Sequence, residues 1–381
     1  MEPARKYDVV VVGAGVFGAW SALHLARRKK RVLLVDAYGP ANARASSAGE
    51  SRIIRMGYGA DELYTRWSQR SLMQWKQFFA KTSQPLFHQT GVLWLADEGD
   101  LRVRQTVEVL SRCGIQFEEL NRRALEKRYP QISFEGITGG VREPGSGVLM
   151  ARRAVAAVVE EAMRLGAEYK VAQIATPHDG ALVTSVSGER FEADHFVFAC
   201  GAWLGKVFPT ILGARIFPTR QEVFFFGVPP GDLRFAPPAL PTWLFQGDEM
   251  YGMPDLETRG LKIAIDRHGE RVDPDMQSRV VSTQGVEVVR KYIGRRFPAL
   301  RDAPIVETRV CQYENSSNGD FLIDRHPQIA NVWFVGGGSG HGFKHGPVVG
   351  EYVTSQLLDN PRMEPRFSLA SKETVQRRAV F

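Results

Sequence analysis

Three cysteines in 381 residues, Cys113, Cys200 and Cys311, are too few and too scattered for a disulfide framework, and none stands at metal or redox spacing from another. Such usage suits a reducing compartment, and the cytoplasm is the simplest location. No apolar stretch is long enough to span a bilayer, so no membrane partner is expected. Strand-like sequence begins within seven residues of the start, which leaves no room for a signal peptide. Repeats, low-complexity tracts and an obvious linker are missing as well. With 44% hydrophobic and 24% charged residues the chain has the balance of a folded globular protein rather than a disordered one. At roughly 150 residues per domain, its length allows two domains, and without a linker they are expected to interleave.

The net charge of +7 could favour anionic small molecules or, less specifically, polyanions. The densest basic run, Arg27-Arg28-Lys29-Lys30-Arg31, follows an apolar helical stretch, where cations suit a helix C-terminus. No nucleic-acid partner is expected from it.

What the sequence does contain is concentrated at both ends. "YDVVVV" (7–12) is a continuous β-branched run of the kind buried on both faces, followed by "GAGVFG", an apolar helical stretch and a second buried strand, "RVLLVDA", ending on Asp36. The glycines form Gly13-x-Gly15-x-x-Gly18. Gly13 permits a tight turn, Gly15 lets the backbone approach a pyrophosphate, and Gly18 lets helix pack on strand. The helix N-terminus would then face the phosphates with unpaired N–H groups. Asp36 would hydrogen-bond ribose hydroxyls and repel a 2′-phosphate, which favours FAD or NAD over NADP without separating the first two.

Further on, "QPLFHQTGVLWLAD" predicts two strands around a turn, 100–130 helices, and the segment opening at "GVLMARRAVAAVV" an amphipathic helix. A β-meander is expected over 170–200, with turns at Asp179-Gly180 and near Gly188. Later strands such as "FPTRQEVFFFG" and "LKIAIDR" suggest a second, antiparallel sheet. Near the end, "GGGSGHGFKHG" (336–346) sets a lysine and two histidines among glycines. His341 and His345 are four apart, but no cysteine or carboxylate nearby completes a ligand set, so no metal is expected.

The order of "VVVVGAGVFG", "SAGESRIIRMGYG", "FACGAW", "LKIAIDR", "CQYENSSNGDFLIDRHP" and "VGGGSGHGFKHGPVVGE" resembles the D-amino-acid-oxidase-type flavoproteins, in particular their sarcosine oxidase and N-methyl amino acid oxidase branch. The likeness runs over roughly residues 7 to 355, and S-G-H-G-F-K and Cys-x-Tyr are its specific parts. It implies an α/β (α+β) fold in which a Rossmann-like FAD-binding domain (1–85, 150–215 and 310–381) interleaves with a substrate domain on a large antiparallel or mixed sheet (86–149 and 216–309). A monomer is expected.

The resemblance also implies an activity: oxidation of the C–N bond of a secondary (N-methyl or cyclic) or primary amino acid, with a hydride equivalent passing to flavin N5, hydrolysis of the imine, and reoxidation by O2 to H2O2. The alternative is a flavin dehydrogenase that passes electrons to a quinone or carrier. Gly338, Gly340 and Gly342 would let the chain pass close to the flavin. Lys344 and Arg55 would bind the substrate carboxylate, Arg52 would sit near the flavin, and Tyr251 and Tyr313 would line the pocket. Taken without the resemblance, Arg52 and Arg55 are ordinary charges three apart, on one side if the segment is helical. Lys262 alternates with apolar neighbours like a surface lysine on a strand. By resemblance it lies over the flavin and promotes the oxygen reaction, since a cation stabilises superoxide as it forms. Cys311 is a buried spectator by composition and a covalent flavin attachment by resemblance. Two departures bear on the substrate: Asp266 stands where the branch carries a histidine, and Glu314-Asn315-Ser316 replaces a threonine-rich run. Both point to a substrate other than sarcosine, one with an additional polar or cationic group.

Overall fold

A computed structural model describes residues 7–177, 182–359 and 361–377. Two large sheets dominate it. The first runs Leu322–Arg325, Val332–Gly336, Arg190–Phe198, Tyr7–Val12, Val32–Asp36 and Glu168–Val171, with Leu182–Thr184 added alongside Arg190–Phe198. Its central strands are parallel, and Val9 to Val12 are buried on both faces, as their unbroken β-branched run requires. The helices Val16–Arg27, Ala151–Arg164 and Gly346–Leu358 contribute to the core on one side of it.

The second sheet has the order Ile305–Ser316, Ile216–Phe226, Leu261–Ile265, Met250–Met253, Thr242–Phe245, Val92–Ala96, Gly139–Glu143 and Glu118–Asn121. It is mixed rather than antiparallel, because Thr242–Phe245 and Val92–Ala96 run parallel. A small third sheet joins Arg52–Ile54, Gly147–Leu149 and Phe87–His88. The boundary expected at residue 310 falls inside Ile305–Ser316, the edge strand of the second sheet.

Local expectations are corrected in four places. Residues 52–54 are extended, so Arg52 and Arg55 do not share a helical face. The stretch 100–130 holds two helices, Leu101–Arg112 and Arg122–Arg128, with the strand Glu118–Asn121 between them. Glu168–Val171 pairs in parallel with Val32–Asp36, where it finds a buried edge, instead of opening a meander. Lys262 is buried, because its strand lies inside the sheet with neighbours on both sides. The expected turn at Asp179-Gly180 lies outside the described residues. Among those residues no helix is long and apolar enough to cross a membrane.

Candidate active site

The parallel strands of the first sheet end at Val12, Asp36, Phe198 and Gly336, where ligands bind in open α/β sheets. A long cleft opens there, with a volume of about 1290 Å³ including its solvent-open mouth. Gly13, Gly15 and Asp36 line one end, and Gly338, Gly340 and Gly342 the other. A Cβ on Gly18 would sit 1.8 Å from the Gly13 carbonyl oxygen, so the helix packs this close to the strand only with glycine there. The helix Val16–Arg27 starts at Gly15, which has no side chain to cap it, and carries no acidic residue in its first turn; Ser47 Oγ accepts from the Val16 N–H at 3.1 Å, and the rest of the positive helix end faces the cleft. Asp36 accepts N–H groups from Ala14 (2.8 Å), Tyr38 (2.8 Å) and Gly39 (3.0 Å). Burial raises its pKa, and those three hydrogen bonds oppose the rise. A cleft lined by a helix N-terminus, by glycines and by an acid at the end of the second strand fits a dinucleotide such as FAD.

A second, smaller pocket of about 740 Å³ adjoins the glycine end. The strand Ile305–Ser316 directs Cys311 and Tyr313 to one face by its two-residue period, and both line this pocket. Gly340, at φ +77°, lies so close that a Cβ there would sit 2.9 Å from the Tyr313 ring. Arg52 lines both cavities. Its guanidinium donates to the carbonyls of Ser51 (2.8 Å) and Ser46 (2.6 Å), and Nη2 lies 3.7 Å from Cys311 Sγ. Arg55, Lys344, Tyr251 and Asp266 also face the smaller pocket.

Arg55 and Lys344 are buried, and burial pushes the Lys344 pKa well below the ordinary lysine value, with the neighbouring Arg55 pushing the same way. Asp266 follows its strand's end at Ile265, and no hydrogen bond to its carboxyl group occurs among the described residues. Burial lifts its pKa to about 6, against the pull of Arg55, Arg102 and Lys344. Tyr251 and Tyr313 stand beside it, their hydroxyl pKa values raised mainly by burial.

Lys262 lines neither cavity. Its Nζ donates to Ser51 O (2.9 Å) and Ser51 Oγ (3.2 Å), behind Arg52. Burial and the nearby Arg52 depress its pKa well below the ordinary value. His341 and His345 both meet the Tyr58 hydroxyl, and among the described residues no group of three or more metal-ligating side chains occurs.

Three residues have functional positions that sequence patterns do not single out. Glu143 accepts from Met56 N (2.7 Å), Gly57 N (2.9 Å), Trp94 Nε1 (2.7 Å) and Ser146 Oγ (2.5 Å), pinning the turn that follows Arg55. Tyr58 sits against both Arg55 and Lys344. Glu314, noted above only as a departure, is a buried acid on the wall of the long cleft whose pKa is raised to about 7 by burial. A cross-strand pairing could hint at Glu314; nothing local marks the other two.

A family described as "FAD dependent oxidoreductase" (DAO) matches residues 8–356. The monomeric sarcosine oxidase of Bacillus sp. (strain B-0618) is 30% identical to this chain over 99% of it and 100% of the relative. The peroxisomal sarcosine oxidase of Homo sapiens is 29% identical over 96% and 94%. Among solved structures, L-proline dehydrogenase from P. horikoshii superposes with a TM-score of 0.84 at 19% identity, over 96% of this chain and 98% of that one, a likeness of fold.

Proposed function

Since the chain belongs to the DAO family of FAD-dependent oxidoreductases, we propose that it oxidises the carbon–nitrogen bond of a small amino acid, a secondary amine or a primary one, with oxygen as the final acceptor. The observation that carries this reading is the smaller pocket: two buried cations, Arg55 and Lys344, and one unpaired acid, Asp266, between two tyrosines. Such a set complements a molecule carrying a carboxylate and an amine. FAD, held along the long cleft by the Gly13–Gly18 turn and Asp36, would supply a two-electron acceptor for the carbon beside the amine and the means of reducing oxygen to hydrogen peroxide.

The protein's share is binding, orientation and proton handling. Arg55 and Lys344 hold the substrate carboxylate, fixing the amine carbon in one place and removing part of the entropic barrier. Tyr251 and Tyr313 wall the amine off from water. Asp266 receives the proton that the substrate ammonium must lose, and its environment suits a base that works near neutral pH. The imine then leaves and is hydrolysed. Lys262 and Arg52 keep positive charge near the oxygen side of the chemistry. As in the monomeric sarcosine oxidases it is similar to, one chain carries the whole site.

The reading is tested by anaerobic bleaching of the flavin absorbance against N-methyl, cyclic and primary amino acids of both hands, with matched amines lacking the carboxylate. Carboxylated amines are expected to bleach it and decarboxylated ones not. A flavin that dithionite reduces but no amino acid does would reject the substrate class. With the best substrate, the bleaching rate should rise as pH climbs through about 6, because Asp266 acts as base only when ionised.

We also propose that the flavin is held covalently through Cys311, whose thiol lines the smaller pocket beside Arg52. Acid precipitation should leave the yellow colour in the pellet, and Cys311→Ser should release it to the supernatant. Colour in the wild-type supernatant contradicts the link.

A further inference from the structure

Lys344 and Arg55 come from segments nearly three hundred residues apart, yet one side chain touches both. The Arg55 guanidinium carbon lies 4.5 Å from the centroid of the Tyr58 ring and 4.7 Å from that of Trp94. Lys344 Nζ donates to the Tyr58 hydroxyl at 2.9 Å and to the His341 carbonyl at 2.9 Å. The same hydroxyl meets His345 Nε2 at 2.8 Å and His341 Nδ1 at 3.0 Å. Tyr58 is 3% exposed, so its hydroxyl must find its partners inside the protein.

Hydrogen-bond chemistry assigns each role in this cluster. His341 Nε2 lies 3.1 Å from the Gly319 carbonyl, which can only accept, so that nitrogen carries the proton and Nδ1 is an acceptor. The single proton of Tyr58 therefore goes to His341 Nδ1. Its contacts with His345 Nε2 and Lys344 Nζ are then both ones in which the tyrosine oxygen accepts, so His345 is protonated on Nε2. Among these three contacts the oxygen donates once and accepts twice. An ammonium has three donors. Two of those on Lys344 are taken by Tyr58 and the His341 carbonyl, and the third is left for the smaller pocket that Lys344 lines.

We propose that Tyr58 is the positioning residue of the carboxylate clamp: its ring sets the plane of Arg55 and its hydroxyl sets the direction of Lys344, so that both converge on one substrate carboxylate. The inference rests on the clamp reading given above. Tyr58 touches no substrate itself and acts through the two cations. Removing its hydroxyl leaves Lys344 with one fewer anchor and takes the tyrosine acceptor from the His345 N–H. Removing its ring takes the support from under Arg55 as well.

The test uses the flavin-loaded protein and propionate, a carboxylate that lacks the amine, with its Kd read from the perturbation of the flavin spectrum. Tyr58→Phe keeps the ring and should raise the propionate Kd, and the KM of the best carboxylated amine, about tenfold, as the weakening of one charged contact does. Its kcat should stay within about twofold of wild type. Tyr58→Leu should raise Kd about a further tenfold. Lys344→Met and Arg55→Met are the references. If they lose propionate while both Tyr58 variants bind it like wild type, the positioning role is overturned and the clamp stands. If the reference variants themselves bind propionate normally, the clamp reading fails and this inference falls with it. A Tyr58→Phe protein that loses kcat while its propionate Kd stays at the wild-type value would also overturn it, since that is a general structural defect.

Discussion

Lys262→Met should lower peroxide formation about 10²–10³-fold while anaerobic bleaching by the best substrate persists. That magnitude is the usual cost of losing one fixed charged or hydrogen-bonding group that stabilises developing negative charge. Reduction of oxygen begins with one electron, and superoxide is an anion created where water is scarce, so a fixed cation stabilises it strongly. Lys262 is suited to supply one because two contacts with Ser51 hold its Nζ and the sheet buries its stem. Methionine has similar length and no charge, so packing changes little. The depressed lysine pKa adds a pH signature. The cation exists below the folded-state pKa and is lost as pH rises through it. Oxygen reactivity should therefore fall with rising pH earlier than an exposed lysine would allow, and the fall should vanish in Lys262→Met. Unchanged peroxide production in the variant removes the role from Lys262, and would favour a dehydrogenase using a carrier.

For Glu143→Gln the expected effect is on stability. The side chain is fully buried, and all four of its partners can donate. An amide keeps one accepting oxygen and turns two N–H groups towards two of those donors. Losing two hydrogen bonds to a charged acceptor costs roughly 3 to 6 kcal/mol. A denaturant titration should show the midpoint falling with the slope unchanged. The donors come from the turn after Arg55, the strand Val92–Ala96 and the loop before Gly147, so the damage should reach the clamp. The KM for carboxylated amines should rise in whatever fraction still folds, and a midpoint equal to wild type would show that the four contacts do not matter energetically.

The two predictions differ in how far a reader of the sequence could have gone. The first β-α-β unit was legible because its geometry is local: Gly13, Gly15, Gly18 and Asp36 lie within it, and their places follow from backbone freedom and chain direction. Resemblance extended the reading to Lys262, Arg55, Lys344 and Cys311, although pattern alone made Lys262 a surface lysine. Its burial depends on partner strands on both sides, one of them some forty residues earlier in the chain. The helical pairing of Arg52 with Arg55 failed for a related reason, since Arg52–Ile54 is extended by pairing with Gly147–Leu149.

What the sequence by itself determined is the set of elements with their own periodicity and turn chemistry: the first buried strand, the glycine turn, the helix that follows and the acid that closes the unit. Only the tertiary structure decided the environment of the chemistry. Tyr58 between Arg55 and Lys344, Glu143 under the Arg55 turn and an unpaired Asp266 opposite both cations arise from segments far apart in the chain. A hydrogen bond or a desolvated charge takes its energy from whatever lies within a few ångströms, and those neighbours are chosen by how the sheets pack rather than by the residues on either side.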